Sequence, residues 1–401
     1  MIKSNKPISE IRLLSQGTYG CVFYPGIGCS GKLEKKQYIT KVQKKEKTSE
    51  NELKIGKFIQ KIKLYGMYFA PILKTCPIQL AKIEKEEIKQ CELFNIEDLE
   101  ENKKNTKYIS NKIRYVGENT LQKHLMNRLH SDVYTFFPHF LETHIFLLNS
   151  IEKLVKINIL HYDIKENNII YDTMNHAPVL IDFGLSINVK ELVQKTNFEK
   201  AFYIYYDKYS PWCLEITLIS FIVTEKEWDT KPINIEKLNK VIDLFFANNE
   251  VMIIISKETK TKPYINQWKT FIRKNIHKKG IDCVNELLKY WNTWDHYALS
   301  VMYLFIICDL EWINEPFLLQ YRSVLVEHIL SVPNKRVSNE MVNAIRKIGE
   351  NIDKTEYNRW IKETIESQEI IQKQKSRFLE TKEIEKQIEK IIYGGNHNNH
   401  I

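Results

Sequence analysis

The sequence predicts an α+β fold in which a small β-rich N-terminal part is followed by a larger, mainly helical one. Two observations predict it: apolar residues alternate over the first forty-odd positions, whereas from about Phe140 onward they recur every three to four. A third is size, because 401 residues exceed what one core fills, so two parts are expected. With 43% hydrophobic and 11% aromatic residues, the chain can offset the entropy of ordering a packed core, which excludes wholesale disorder.

The first strands are read at Ile11–Gln16, Tyr19–Tyr24 and Gln37–Gln43, with a Gly/Pro-rich turn at Pro25–Gly31. Between Ser49 and Ile62 the spacing changes. Leu53, Ile55, Phe58, Ile59 and Ile62 form a helical stripe that would begin behind a Ser49 cap. A strand at Lys107–Val116 leads to Gly117, with a hinge near Tyr115–Asn119, and a helix follows over Thr120–Leu129. An apolar helix over Phe140–Ile157 runs into a short strand-like segment, Ile159–Ile164. Two short apolar strands, Asn168–Asp172 and Pro178–Asp182, precede a loop that lasts to Pro211, and the pattern is then mostly helical to about Ile348. A solvated helix is read over Ser367–Ile392, before a polar end.

Several function classes are excluded or made unattractive. The longest apolar runs, Ile216–Val223 and Val301–Ile307, are far short of the roughly 20 residues that cross a bilayer. No secretory leader is read at the N-terminus. No membrane partner and an intracellular, cytoplasmic setting are therefore expected. Seven cysteines, at 21, 29, 76, 91, 213, 283 and 308, contain no CxxC pair, so free thiols are expected rather than a disulfide framework or a zinc site. The net charge is +9, but Lys and Glu are interleaved, which reads as a mixed solvated surface and not as a nucleic-acid interface.

Two constellations carry chemistry. In Ser15-Gln16-Gly17-Thr18-Tyr19-Gly20-Cys21-Val22, two glycines between strands would let backbone approach an anion closely, although a plain hairpin has the same appearance. The second is His161-Tyr162-Asp163-Ile164-Lys165-Glu166-Asn167-Asn168, followed 19 residues after Asp163 by Asp182-Phe183-Gly184. Each segment abuts a short apolar strand. Two carboxylates, a carboxamide and an ammonium at strand ends suit a hard divalent cation that keeps part of its coordination for phosphate oxygens.

On these residues the chain resembles the eukaryotic-type protein kinase family over nearly its whole length to about residue 348. The resemblance implies a bilobal fold, with an N-lobe over 8–116, a C-lobe over 117–350 and a charged tail over 351–401. It places ATP against Leu14–Val22, that is Leu14, Ser15, Gln16, Gly17, Thr18, Tyr19, Gly20, Cys21 and Val22, with Tyr115 and Val116 offering backbone groups to adenine. Lys41, in Ile39–Val42, resembles the strand lysine that holds the α/β-phosphates, oriented by Glu52 with Glu50 as fallback. Asp163 takes the place of the catalytic base and Lys165 that of the lysine near the transferred phosphate, while Asn168 and Asp182 match the ligands of Mg²⁺, with Mn²⁺ as a substitute. Glu215 in Ser210–Glu215 and Arg336 in Pro333–Arg336 are similar to the pair that braces the peptide-binding segment. Asp295 is similar to the aspartate that braces the catalytic loop. Lys165 points to Ser/Thr specificity, hence protein substrates that present Ser or Thr.

The departures are specific. Ser15 replaces a glycine, Gly26, Gly28 and Gly31 read as a surface excursion, and Tyr162 stands where the family has arginine. Without that cation, activity is expected to be independent of activation-loop phosphorylation. Glu215 and Asp295 lie 80 residues apart, so a folded insertion over about 217–292 is expected, its apolar stretches being Lys240–Phe246 and Val251–Ile255. These insertions and the Lys/Ile/Asn/Tyr-heavy composition resemble Ser/Thr kinases of nucleocytoplasmic large DNA viruses, mimivirus-like, which would act in infected-cell cytoplasm or in the virion. The competing readings are a pseudokinase scaffold that binds partners through its insertion and tail, and a kinase of small molecules. Glu215 and Arg336 weigh against the last.

Overall fold

A computed structural model describes residues 11–17, 20–29, 32–78, 91–92, 94, 108–132, 135–275, 279–309, 316–353, 355, 357 and 383. Thr18 and Tyr19, Gly31 and all but one position of the helix read over Ser367–Ile392 lie outside them. The chain divides into two compact units, residues 1–121 with 167–186, and residues 122–166 with 187–401.

The first unit is built on an antiparallel sheet of β1 (Arg12–Gly17), β2 (Gly20–Tyr24), β3 (Tyr38–Lys44), β4 (Ile72–Ile78) and β5 (Tyr108–Arg114), in the order β1-β2-β3-β5-β4. Phe23, Val42, Ile78 and Tyr108 bury one side of it with Ile27. The Ile27 N–H donates to Thr40 Oγ1 at 2.7 Å, and Ile27 pairs with Leu33. The expected surface excursion at Gly26 and Gly28 is therefore a plug packed on the sheet. Strand β4 lay outside the sequence reading because Pro77 breaks the strand pattern. It is an edge strand, where a missing N–H costs least.

Helix α1 (Lys47–Ile59) starts earlier than expected: Glu46 is its N-cap, and Ser49 closes a reciprocal capping box from the third helical position. Its buried stripe is Ser49, Glu52, Ile55, Gly56 and Ile59. A Cβ on Gly56 would meet the Ile72 carbonyl oxygen at 2.7 Å, so the glycine sets how closely α1 approaches β4. The hairpin of β7 (Ile169–Asp172) and β8 (Ala177–Leu180) belongs to the same unit.

The free-thiol expectation is overturned within this unit. Cys21 is bonded to Cys91 and Cys29 to Cys76, with Cα separations of 6.1 and 5.7 Å. Sequence spacing could not show it, because the partners are 70 and 47 residues apart and only the sheet brings them together. Cys213 and Cys283 are free thiols.

The second unit is mainly helical. α2 (Leu121–Ser131) runs into it, followed by α3 (Phe136–Lys156), the short strands β6 (Ile159–Leu160) and β9 (Ile187–Asn188), and helices α4 (Val189–Lys195), α5 (Phe198–Ala201) and α6 (Leu214–Thr224). Its centre is Trp294–Asp309, whose residues are buried on all sides through Ile307. A helix apolar all round belongs inside a core. The stretch between Glu215 and Asp295 contains helices Ile235–Asn248, Glu250–Ser256, Lys262–Asn275 and Gly280–Leu288. Asn234 and Asn249 cap the first two of these through their side-chain oxygens. Among the described residues no helix is long and apolar enough to cross a membrane.

Candidate functional site

In the first unit the strand pairing puts Lys41 opposite Val22 and Asn111, on the sheet face away from Val42. An ammonium buried there needs anions. Lys41 Nζ lies 3.3 Å from Glu52 Oε2 and 3.1 Å from Asp182 Oδ1. Glu52 is the one acid on the buried stripe of α1, whereas Glu50 is exposed, which decides between the two candidates. Burial alone would lower the pKa of Lys41, but the charges of Asp182 and then Glu52 outweigh it and hold the pKa above its ordinary value. The ammonium is thus charged at any pH at which the protein would work.

Asp182 reaches this position from the end of the β7–β8 hairpin. The register pairs Ile169 with Leu180, and the Ile181 N–H donates to the Asn168 carbonyl at 3.0 Å, so Asn168 and Asp182 emerge at the same end. Asp182 holds a left-handed backbone, φ 58°, and accepts the Gly184 N–H at 3.3 Å, while Phe183 is buried against Phe69. A non-glycine residue in that conformation marks a place where surrounding contacts fix the backbone. The Asp182 side chain remains 37% exposed while Lys41 is 9% exposed, so the carboxylate has an open side and the lysine does not. Ala70, Val116, Ile170 and Val179 form an apolar cluster in this unit, flanked by Ile113 and Ile181, that includes one of the two expected adenine-facing residues. The Tyr115 N–H is already given to the Gln37 carbonyl at 2.9 Å, and its ring packs at a tilt against Tyr24, centroids 4.2 Å apart.

The glycine-rich hairpin has a local logic of its own. Pairing slips between Leu13 and Ser15, which leaves Leu14 as the extra residue of a bulge. Gly20 is required by packing, since a Cβ there would sit 2.6 Å from the Val42 carbonyl oxygen. Gly17 by contrast faces nothing within 4 Å. Gln16 Oε1 accepts the Glu92 N–H at 3.1 Å, and Cys21 is tied to the neighbouring Cys91, so two bonds hold the hairpin to one short segment. Val22, with Ser15 as its partner, lies opposite Lys41.

In the second unit, the loop after β6 is suspended by its backbone. Asp295, at the start of the central buried helix, accepts the His161 N–H at 2.7 Å and the Tyr162 N–H at 2.9 Å. Burial raises the Asp295 carboxyl above its ordinary range, and the two N–H groups and the neighbouring histidines oppose that rise. Tyr162 has φ 70° and stacks on Trp212, ring centroids 5.1 Å apart, while the Trp212 indole N–H donates to the Tyr162 carbonyl at 3.2 Å. Asp163 follows, half-buried, with Lys165 Nζ 3.4 Å from Oδ2 and the Tyr209 hydroxyl 3.1 Å from Oδ1. Arg336 and Glu215 form an ion pair whose side chains are 1% and 0% exposed.

The structure therefore gathers Lys41, Glu52, Asp182 and Asn168 in one unit and Asp163 and Lys165 in the other. Sequence reading missed Tyr209, Trp212 and Cys91. Tyr209 and Trp212 stand six and three residues before Glu215, a spacing that could have marked them.

No protein-family profile matches the chain, and no curated protein does. Among solved structures, a Stt7 homologue from Micromonas algae, soaked with ATP, aligns at 19% identity with a TM-score of 0.31, over 46% of this chain and 52% of that one. The Cydia pomonella granulovirus kinase PK-1 aligns at 19% identity with a TM-score of 0.29, over 45% and 55%. The chain spans about half the length of each. Likenesses this partial assign no activity. The order of elements is the one the motifs imply for a protein kinase fold: a five-stranded antiparallel sheet with a helix after its third strand, then a larger helical unit.

Proposed function

We propose that the chain is an ATP-dependent serine/threonine protein kinase, transferring the γ-phosphoryl group to a hydroxyl on a protein substrate. The observation that carries this reading is the buried Lys41 ammonium shared by Glu52 and Asp182. A permanent cation oriented by one carboxylate, next to a second carboxylate with an open side, suits a polyphosphate accompanied by a divalent ion. Among the described residues no cluster of three His, Cys, Asp or Glu could hold a metal alone. The residues fit Mg²⁺ only as a shared ion, with Asp182 and Asn168 on one side and phosphate oxygens on the other. Bound there, Mg²⁺ would neutralise charge developing on the leaving oxygen.

Asp163 then acts on the acceptor. It accepts the hydrogen bond of the substrate hydroxyl and takes its proton as the new oxygen–phosphorus bond forms and the bond from the γ-phosphorus to the bridging oxygen breaks. Lys165 beside Asp163 supports Ser/Thr specificity. The stack of Tyr162 on Trp212 supports activity without phosphorylation of the segment before Ser210, because an aromatic contact stands where a cation would await a phosphate. Composition supports the large-DNA-virus kinase class, with action in the infected-cell cytoplasm or the virion.

Transfer of radiolabelled phosphate from ATP to generic basic and acidic proteins tests the reading. Wild type is expected to label protein, while Lys41→Met and Asp163→Asn are not. Labelling that survives both substitutions would place the chemistry elsewhere, and nucleotide binding without transfer in wild type would favour the scaffold.

A further inference from the structure

Asp163 is a short side chain whose terminal torsion is broad and two-fold, so an isolated carboxylate at that position would rotate freely. Here each oxygen has a partner from a different direction: Lys165 Nζ at 3.4 Å on Oδ2 and the Tyr209 hydroxyl at 3.1 Å on Oδ1. Two contacts fix a plane where one would not. We propose that Tyr209 is a positioning residue, its phenol setting the orientation of the carboxylate that receives the acceptor proton. This rests on the kinase reading above.

The placement of Tyr209 argues that its hydroxyl is a fixed part of the site and not a stand-in for a substrate that must leave. The residue is 6% exposed. Its ring meets Trp212 edge-on, centroids 5.1 Å apart at 82°. Trp212 in turn stacks on Tyr162 and donates its indole N–H to the Tyr162 carbonyl, immediately before Asp163. Tyr162 hangs by its own N–H from Asp295. The contacts thus form a closed loop from the buried aspartate through three aromatic rings back to the base. On the far side, the Ser210 hydroxyl donates to Glu250 Oε2 at 3.4 Å, which ties the Tyr209 segment to the start of a helix in the long insertion. The insertion thereby contributes to holding the base.

The test is Tyr209→Phe in the full chain, since phenylalanine keeps the ring on Trp212 and removes only the donor. The measured quantities are kcat for protein phosphorylation, KM for ATP, and the melting temperature. The expected result is a loss of roughly 10- to 100-fold in kcat, the size of one hydrogen bond to a charged group, with KM for ATP within about twofold and melting unchanged. An equally active Tyr209→Phe enzyme beside an active wild type would overturn this role alone. A faster variant would also overturn it, by showing that the phenol obstructs the acceptor. A wild-type chain that phosphorylates no protein would instead remove the kinase reading and this role with it.

Discussion

The ion pair of Arg336 and Glu215 offers a perturbation whose size can be worked out in advance. Both side chains are sealed from solvent, at 1% and 0% exposure, and Glu215 Oε2 and Arg336 Nε and Nη1 have no hydrogen-bond partner among the described residues. Removing the arginine leaves a carboxylate in apolar surroundings with no replacement cation. Breaking one side of such a pair costs about 3–5 kcal/mol. Arg336→Met should therefore lower the melting temperature of the second unit by about 6–20 °C, taking about 2–4 °C per kcal/mol for a unit of this size. Replacing both partners, Arg336→Met with Glu215→Leu, removes the stranded charge and should recover most of the loss. The assay is a double-mutant cycle by thermal and urea unfolding. A single variant that loses under about 1 kcal/mol, or a double variant that loses the sum of the singles, would refute the claim that a desolvated charge pair anchors this segment to Arg336.

Two further outcomes concern stability. The disulfides close 70- and 47-residue separations, each worth about 4 kcal/mol in the loop-entropy account, less than additive because one lies inside the other. Reduction, or Cys21→Ser with Cys91→Ser, should speed amide hydrogen exchange across β1–β3, and unchanged exchange would contradict the bonds. Burial and then His296 push His144 down to about 3, and His328 is lowered well below its ordinary value, also by burial first. A histidine neutral in the fold contributes stability above its unfolded pKa near 6.5 and loses it as pH falls toward the folded value. By pH 4.5 the His144 contribution has fallen by about 2.7 kcal/mol, at about 1.36 kcal/mol for each of the two pH units below 6.5. The stability of His144→Gln should depend less on pH between about 6.5 and 4.5, and an identical pH slope would speak against it.

Much of this was legible from the chain, for reasons that differ between residues. Asp163 and Asp182 could be picked out because each abuts a short apolar strand, and strand ends project loops predictably; Lys41, inside β3, was marked only by the resemblance of Ile39–Val42 to a kinase strand motif. Glu52 could be preferred over Glu50 from the positions of Ile55 and Ile59 alone. The spacing of Tyr209 from Glu215 could mark the residue but not its role, which depends on how an aromatic segment folds back on the base. The disulfides were hidden for the same reason: Cys21 and Cys91 meet through sheet topology, and local spacing says nothing about that. Gly20 was read as a phosphate-approach glycine, yet its backbone neighbour is the Val42 carbonyl, a packing demand that the motif conceals. The hairpin excursion at Gly26–Gly28 looked solvated by composition and became core because Ile27 found Thr40.

In the proposed reaction labour is divided: the Lys41, Asp182 and Asn168 group would hold nucleotide and metal, and Asp163 would remove the proton. Titration of ATP with and without Mg²⁺ into wild type, Asp182→Asn and Asp163→Asn, alongside phosphate transfer from each, tests it most directly. Asp163→Asn should bind Mg²⁺-ATP as tightly as wild type within about twofold while transferring nothing, and Asp182→Asn should lose the Mg²⁺-dependent part of binding. Equal Mg²⁺-dependent binding by wild type and Asp182→Asn, or undiminished transfer by Asp163→Asn, would contradict the account.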